Sequence, residues 1–106
     1  HYEVVTLSRA DKRKFRSEDT IDLHGHSRDV DRSLKVFCSR CIYNGVRCAT
    51  VITGKGSGTV KQATLHWLRR NPGFIVGFFE ITDSAGESGA IGVILRFLGK
   101  MDLGFM

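Results

Sequence analysis

The sequence predicts a single α/β domain (an α+β sandwich) in which two helices pack on a small mixed sheet of four strands, in the order β-α-β-α-β-β. A chain of 106 residues is long enough for the core of one domain and too short for two. Two segments repeat apolar residues with the period of a helix, and β-branched runs beside glycine-rich turns alternate with them. The composition, with 42% hydrophobic and 25% charged residues, argues against a disulfide scaffold or a disordered chain. No apolar run approaches the roughly 18 residues that suggest a membrane span.

The first predicted strand, residues 20–23, ends in the turn His24-Gly25-His26. A helix follows, and Ser27 is its expected N-cap because a serine hydroxyl accepts a hydrogen bond from an N–H of the first turn. Asn44-Gly45 is expected to end this helix, since glycine readily adopts the left-handed conformation of a helix C-cap. The apolar residues of the helix fall on one stripe, which consists of Val30, Leu34, Phe37, Cys38, Cys41 and Ile42.

Residues 48–53 form a β-branched run that is typical of a strand buried on both faces. In the next helix, Thr59 and Gln62 have the spacing of a capping box, in which each side chain accepts a hydrogen bond from a backbone N–H at the helix start. The helix is expected to end at Asn71-Pro72-Gly73. Its buried face is expected to carry Val60, Ala63, Thr64, Trp67 and Leu68. Trp67 is therefore predicted to be a core residue rather than a platform on which a base stacks.

Two further strands are predicted at residues 74–82 and 90–97. The polar loop of residues 83–89 between them has a length typical of a hairpin, so we expect this pair to be antiparallel. The strands on either side of the first helix are expected to be parallel, because a strand–helix–strand crossover joins parallel strands. Residues 98–106 form a tail too short and mixed to assign, which leaves residues 20–97 as the folded domain.

The basic residues are unevenly distributed along the chain. Sixteen Lys and Arg against eleven Asp and Glu give a net charge of +5, with +7 in residues 1–75 and −2 in residues 76–106. The densest basic run lies in residues 1–19, a segment with no apolar period that we expect to be an extended or partly ordered arm; it includes Arg13, Lys14 and Arg16. This distribution suits a polyanionic partner such as nucleic acid, although an ordinary solubilising surface would carry similar charge.

The three cysteines, Cys38, Cys41 and Cys48, are an odd number and match no extracellular disulfide framework. Free thiols are typical of a reducing compartment, so we expect a cytoplasmic protein. Cys38 and Cys41 form a CxxC pair, but both lie on the apolar stripe of the first helix and no second pair stands at zinc spacing. We expect both to be buried small side chains. Because the sequence begins with His1, we also expect it to be part of a longer chain.

The run Gly54-Lys55-Gly56-Ser57-Gly58 lies between a predicted buried strand and a helix N-terminus. Glycines let the backbone approach an anion closely, the N–H groups of the helix point toward it, and Lys55 adds a cation. The spacing matches neither the Walker A loop nor the dinucleotide-binding fingerprint. The run is thus a candidate phosphate-binding loop, and a tight strand-to-helix turn is the alternative interpretation.

Asp22 and His24 lie at the end of the preceding predicted strand and flank Leu23. Alternation along a strand places the carboxylate and the imidazole on the same side, with Gly25 and His26 next to them. Ligand sites of parallel sheets lie outside the carboxyl ends of the strands, so we expect this turn and the glycine loop to surround one shallow pocket. The alternative is that Asp22 only caps a turn while His24 bonds to the backbone.

Taken together, the motifs resemble the Smr domain, which is named for its relation to the C-terminal part of some MutS proteins. The resemblance covers most of residues 20–97, and a basic arm is common in stand-alone members. It rests on Thr20-Ile-Asp-Leu-His-Gly25, Val51-Ile-Thr-Gly-Lys-Gly56, Leu65-His-Trp-Leu-Arg69 and Gly89-Ala-Ile-Gly-Val-Ile-Leu-Arg96. The resemblance implies a fold like the C-terminal domain of a bacterial translation initiation factor and binding to DNA or RNA. It also implies nicking or structure-directed endonuclease activity, as in several members.

The chain departs from the family pattern at one place. Many stand-alone members have a His-Gly-Gly-x-Gly-Ala stretch ahead of the last strand, whereas here Ala85 stands at the histidine position and Glu87 at the second glycine. If that histidine assists catalysis in its relatives, this chain is expected to cleave weakly or only to bind. A carboxylate at Glu87 would also oppose phosphate binding.

These features lead to the hypothesis of a monomeric nucleic-acid-binding domain with endonuclease activity. Asp22 and His24 would position or activate the attacking water, or bind a divalent cation such as Mg²⁺ or Mn²⁺ that does so. Affinity for phosphate would come from Gly25, His26, Gly54, Lys55, Gly56, Ser57, Gly58, Arg13, Lys14 and Arg16. A non-catalytic nucleic-acid adaptor is the alternative function, and a binder of small phosphorylated ligands is a third.

Overall fold

The structure is a computed structural model that describes residues 5–7, 9–26 and 28–97. Its strands and helices are β1 (Val5–Thr6), α1 (Arg9–Lys14), β2 (Asp19–Asp22), α2 (Val30–Tyr43), β3 (Cys48–Ile52), α3 (Thr59–Arg70), β4 (Ile75–Thr82) and β5 (Ser88–Leu95). The predicted α/β class and the β-α-β-α-β-β order from residue 20 onward are confirmed, with strand ends that shift by one or two residues. The tail of residues 98–106 lies outside the described residues.

The strands form one sheet in the order β1-β4-β5-β3-β2. β2 and β3 are parallel, with Ile21 opposite Val51, and β4 and β5 are antiparallel, with Phe78 opposite Val93; both predictions are confirmed. The sequence did not indicate that β5 lies between β3 and β4 and is antiparallel to both. This insertion places the start of β5 and the hairpin before it at the same edge of the sheet as the ends of β2 and β3.

Helices α2 and α3 cover one face of the sheet and bury the core against it. The six residues of the predicted α2 stripe are the buried residues of that helix. In α3 the predicted face is buried apart from Ala63, which is half-buried, and Leu65 is buried as well. Trp67 packs against Phe74 with ring centroids 5.9 Å apart, so it is a core residue as predicted.

Both helices begin differently from the predicted caps. The N-cap position of α2 is Asp29, which has a left-handed backbone with φ of 59°, so the helix starts later than a cap at Ser27 would allow; Ser27 itself lies outside the described residues. The N-cap position of α3 is Gly58, also left-handed, and Thr59 is already helical. The predicted capping box is therefore wrong, because the glycine before Thr59 takes the conformation that turns the chain into the helix.

The basic arm is more ordered than the sequence indicated. Val5–Thr6 extends the sheet by pairing in parallel with β4, and Arg9–Lys14 is helical. Phe15 packs edge-on against Phe79 with ring centroids 5.1 Å apart, on the sheet face opposite α2 and α3. Gly92 makes room for this contact, because a Cβ there would lie 2.5 Å from the Phe79 ring. Aromatic packing therefore anchors the arm. The sequence did not indicate this, because a single aromatic residue in a short segment produces no periodic pattern.

The three cysteines are free thiols, and Cys38 and Cys41 are buried as predicted. Burial raises the pKa of the Cys38 thiol to about 12 and that of Cys41 to about 11. Both thiols are thus protonated at neutral pH. The thiolate, and not the thiol, is the form that reacts or binds metal. In the part of the chain that the structure describes, no helix is long and apolar enough to cross a membrane.

Candidate functional site

Two loops at the carboxyl ends of β2 and β3 enclose an open cleft of about 440 Å³. The two loops are in close contact at Gly54, where an added Cβ would lie 3.0 Å from Cβ of His24. Gly54 also has a φ of +82°, a conformation that favours glycine. The structure therefore brings the two loops together around a shallow pocket, as the strand topology predicts. The cleft is lined by His24, Gly25, Thr53, Gly54, Lys55, Gly56, Ser57, Gly58, Thr59 and Val60.

Asp22 and His24 form a hydrogen-bonded pair at the end of β2. Oδ1 of Asp22 accepts one hydrogen bond from the backbone N–H of His24 at 3.0 Å and lies 2.5 Å from Nδ1 of the imidazole. The hydrogen bond from the His24 side chain, followed by that from its backbone, lowers the pKa of the Asp22 carboxyl. Asp22 thus caps the turn, as the alternative interpretation expects, and its carboxylate also contacts the imidazole ring. It does not line the cleft itself but acts on it through His24.

The glycine loop leads directly into the N-terminus of α3. The first N–H groups of a helix have no partner within the helix and carry a partial positive charge. No acidic side chain lies in the first turn of α3, and the hydroxyls of Ser57 and Thr59 lie 2.9 Å apart at its start. This end of the cleft therefore has the geometry and charge that bind an anion.

Lys55 is held by the hairpin between β4 and β5. Its Nζ forms an ion pair with Asp83 and lies 3.8 Å from Oε1 of Glu87. The stem of the side chain passes over Gly89, where a Cβ would lie 3.0 Å from Cγ of Lys55. The hydrogen bond to Asp83, more than any other contact, raises the pKa of Lys55.

Asp83 was not among the residues predicted for the site, although it occupies the first position of the turn Asp83-Ser-Ala-Gly86, a favoured place for aspartate. Its Oδ1 accepts hydrogen bonds from the backbone N–H groups of Ala85 at 2.9 Å and Glu87 at 3.0 Å. With Lys55, these bonds lower the pKa of the Asp83 carboxyl. A turn-forming aspartate was therefore recognisable, but its contact with Lys55 was not, because 28 residues separate the two.

The remaining candidate residues lie outside the cleft. His26 is exposed and donates its backbone N–H to the Leu23 carbonyl, and it does not line the cleft. Arg13 and Lys14 are exposed on α1, and the guanidinium of Arg16 donates to carbonyls at the end of that helix. Among the described residues, the structure thus joins the two loops but keeps the basic arm apart from them.

The described residues do not form a ready metal site. No three His, Cys, Asp or Glu side chains among them come together as metal ligands would. Oδ1 of Asp22, the carboxylate nearest to His24, already takes two hydrogen bonds from that residue.

The fold and the cleft together define a two-layer α/β domain with a glycine-rich strand-to-helix loop beside an aspartate–histidine pair. Residues 21–96 match the family model described as the Smr domain, and the chain belongs to this family. It is 30% identical over 97 residues to the ribosome rescue factor SmrB of Erwinia tasmaniensis, covering 91% of this chain and 51% of that protein.

The other similarities agree with this family. The ribosome rescue factor SmrB of Vibrio vulnificus is 32% identical over 100 residues, which is 93% of this chain and 54% of that protein. The chain thus spans about half the length of these relatives. The crystal structure of the Smr domain of Thermus thermophilus MutS2 superimposes with a TM-score of 0.67 at 24% identity, covering 74% of this chain and 98% of that one. That likeness supports the fold.

Proposed function

We propose that this chain binds the phosphate backbone of a nucleic acid in the cleft and cleaves a phosphodiester bond there. The observation that carries the proposal is the Asp22–His24 pair, whose ring lines the same cleft as the glycine loop and the N-terminus of α3. A histidine oriented by a carboxylate is a common arrangement for proton transfer. The anion-binding loop beside it supplies a place for the phosphate that reacts.

In the proposed reaction, His24 takes the proton of the attacking hydroxyl or water. Nδ1 is held by Asp22, so Nε2 is the ring nitrogen free to accept that proton. The nucleophile then forms a bond to phosphorus while the bond to the leaving oxygen breaks, and that oxygen takes a proton from solvent or from the protonated ring. The negative charge of Asp22 stabilises the imidazolium, and the N–H groups of α3 stabilise the phosphoryl oxygens.

We propose RNA as the preferred substrate. The relatives that match most of this chain are named ribosome rescue factors, and the ribosome is a ribonucleoprotein particle. Among the described residues there is no aromatic-rich, accessible sheet face of the kind that reads bases in single strands. On the sheet face opposite the helices, Phe79 is in contact with Phe15. Recognition is therefore expected to depend on backbone charge more than on sequence.

Two observations favour a non-catalytic adaptor as the second candidate. Ala85 stands where the resemblance to stand-alone Smr members implies a histidine. Lys55 is paired with two carboxylates rather than left free for phosphate. Both features would reduce turnover without removing the nucleic-acid interface.

Incubation of the chain with labelled single-stranded RNA, structured RNA and supercoiled DNA tests the proposal. Parallel reactions contain Mg²⁺, Mn²⁺ or a chelator, and a variant with His24→Ala gives the background. We expect cleavage of RNA above that background. Binding of the same probes with no cleavage above background in any reaction would assign the adaptor function instead.

Arg13 and Lys14 are expected to contribute electrostatic affinity without forming part of the cleft. Replacing both with glutamine leaves Phe15 on Phe79, so the arm remains docked. Affinity should fall, and the slope of log K against log salt should become less steep by up to about 0.7 per lost phosphate contact on single-stranded RNA. The measurement is a salt titration of RNA binding. Unchanged affinity and slope would show that α1 does not touch the nucleic acid.

A further inference from the structure

The hairpin that connects β4 and β5 presents two carboxylates to the only cation of the glycine loop. Asp83 pairs with Lys55 directly and Glu87 stands 3.8 Å from the same ammonium group. The loop and the hairpin also share backbone contacts, because the Gly89 carbonyl accepts the N–H groups of Thr53 at 2.9 Å and Gly54 at 3.0 Å. The hairpin is thus attached to the cleft by both main chain and side chain.

We propose that Asp83 and Glu87 compete with nucleic-acid phosphate for Lys55 and so determine the affinity of the cleft. The inference rests on the proposed function, since it assumes that phosphate binds at the glycine loop. A phosphate that reaches Lys55 meets an ammonium group that already contacts the carboxylates of Asp83 and Glu87. Binding the phosphate then requires Lys55 to exchange its partners.

The geometry assigns different tasks to the two acids. Asp83 also accepts two backbone N–H groups of its own hairpin, so it is fixed in place and keeps Lys55 directed toward β5. Glu87 has a side chain that is 66% exposed, and its contact with Lys55 is the longer one. Asp83 is therefore a positioning residue for Lys55, whereas Glu87 adds charge that repels phosphate.

The exchange of partners has a consequence for counterions. When a free lysine binds a phosphate, the cation condensed on that phosphate is released. When Lys55 first leaves Asp83 and Glu87, the freed carboxylates attract cations back from solution, and the net release is smaller. Removing a carboxylate is therefore expected to raise the affinity and also to steepen its dependence on salt.

The test is a salt titration of binding to a labelled single-stranded oligoribonucleotide, with Glu87→Gln and Asp83→Asn. Glutamine keeps the shape of Glu87, and asparagine can still accept the hairpin N–H groups. For each variant we expect binding about two- to fivefold tighter at low salt, a modest gain because exposed ion pairs are weak. The salt slope should steepen by up to about 0.7.

Glu80→Gln is the matched control, because Glu80 lies on β4 and pairs with Lys61 at 3.0 Å, outside the cleft. It removes the same charge, so any gain that the control shares reflects net charge alone. Lys55→Ala is combined with Glu87→Gln, and in this background the gain from Glu87→Gln should disappear. Thermal unfolding of each variant checks that the hairpin still folds. If the Asp83→Asn variant does not fold, Glu87→Gln alone tests whether the carboxylates compete with phosphate for Lys55.

Three results would overturn the inference. A gain from Glu87→Gln no larger than that from Glu80→Gln, or a gain that persists with Lys55→Ala, would show general repulsion instead of competition for Lys55. Weaker binding by Asp83→Asn and Glu87→Gln would show that the acids assist binding. Failure of the proposed function looks different, because the wild-type chain itself would then bind no oligoribonucleotide at any salt concentration.

Discussion

Replacing His24 with alanine is expected to lower the rate of RNA cleavage by about 10²–10⁴-fold, the usual contribution of a general acid or base. The binding affinity should change little, because the glycine loop and the N-terminus of α3 remain. Asp22→Asn should lower cleavage in the same direction, since asparagine can still cap the turn but cannot stabilise a protonated ring. Removing the negative charge of Asp22 should leave binding equal or slightly tighter. Single-turnover rates and dissociation constants measured on the same RNA separate the two effects.

Two control substitutions accompany this prediction. His66 is exposed on α3, so His66→Ala removes a histidine without changing the residues that line the cleft. Asp31→Asn removes a carboxylate from the exposed side of α2. Both should cleave at the wild-type rate. Normal cleavage by a folded Asp22→Asn variant would make Asp22 a structural residue only, and unfolding of that variant would show that its turn is its main role.

Trp67→Ala is expected to lower the free energy of unfolding by about 3–5 kcal/mol, the range for removing a large aromatic side chain from a core. Trp67 is 5% exposed, stacks on Phe74 at an interplanar angle of 18° and anchors α3 to the sheet. The residual cavity would loosen the helix whose N-terminus forms one side of the cleft. Urea denaturation should show a lower midpoint with an unchanged slope if the folded state keeps its structure.

Tyr43→Ala provides the comparison for Trp67, because Tyr43 is an aromatic residue at the end of α2 with 88% exposure. Its substitution should change the free energy of unfolding by no more than about 0.5 kcal/mol. Trp67→Phe should recover part of the lost stability by refilling the site. A Trp67→Ala variant with wild-type stability but weaker RNA binding would instead make Trp67 a stacking platform for bases, the interpretation that its burial contradicts.

The helices and the parallel strands were predictable because their information is local. Each α2 stripe residue repeats at helical spacing, and a run such as Cys48–Ile52 needs no distant partner to be recognised as a strand. The meeting of His24 and Gly54 was also predictable, since a strand–helix–strand crossover brings the carboxyl ends of parallel neighbours to one edge. The helix starts were not predicted correctly, because Asp29 and Gly58 precede the helices in a left-handed conformation and no side-chain cap forms there.

The sequence by itself thus determined the α/β class, the buried face of α2, most of that of α3, and the two loops that enclose the cleft. Only the tertiary structure decided that β5 lies between β3 and β4, that Phe15 docks on Phe79, and that Lys55 is paired with Asp83. These contacts join residues far apart in the chain, and several sheet orders satisfy the same local pattern of apolar and polar residues. The order with β5 at the centre buries Ile91 and Val93 under the helices, and the same placement carries the acidic hairpin to the glycine loop.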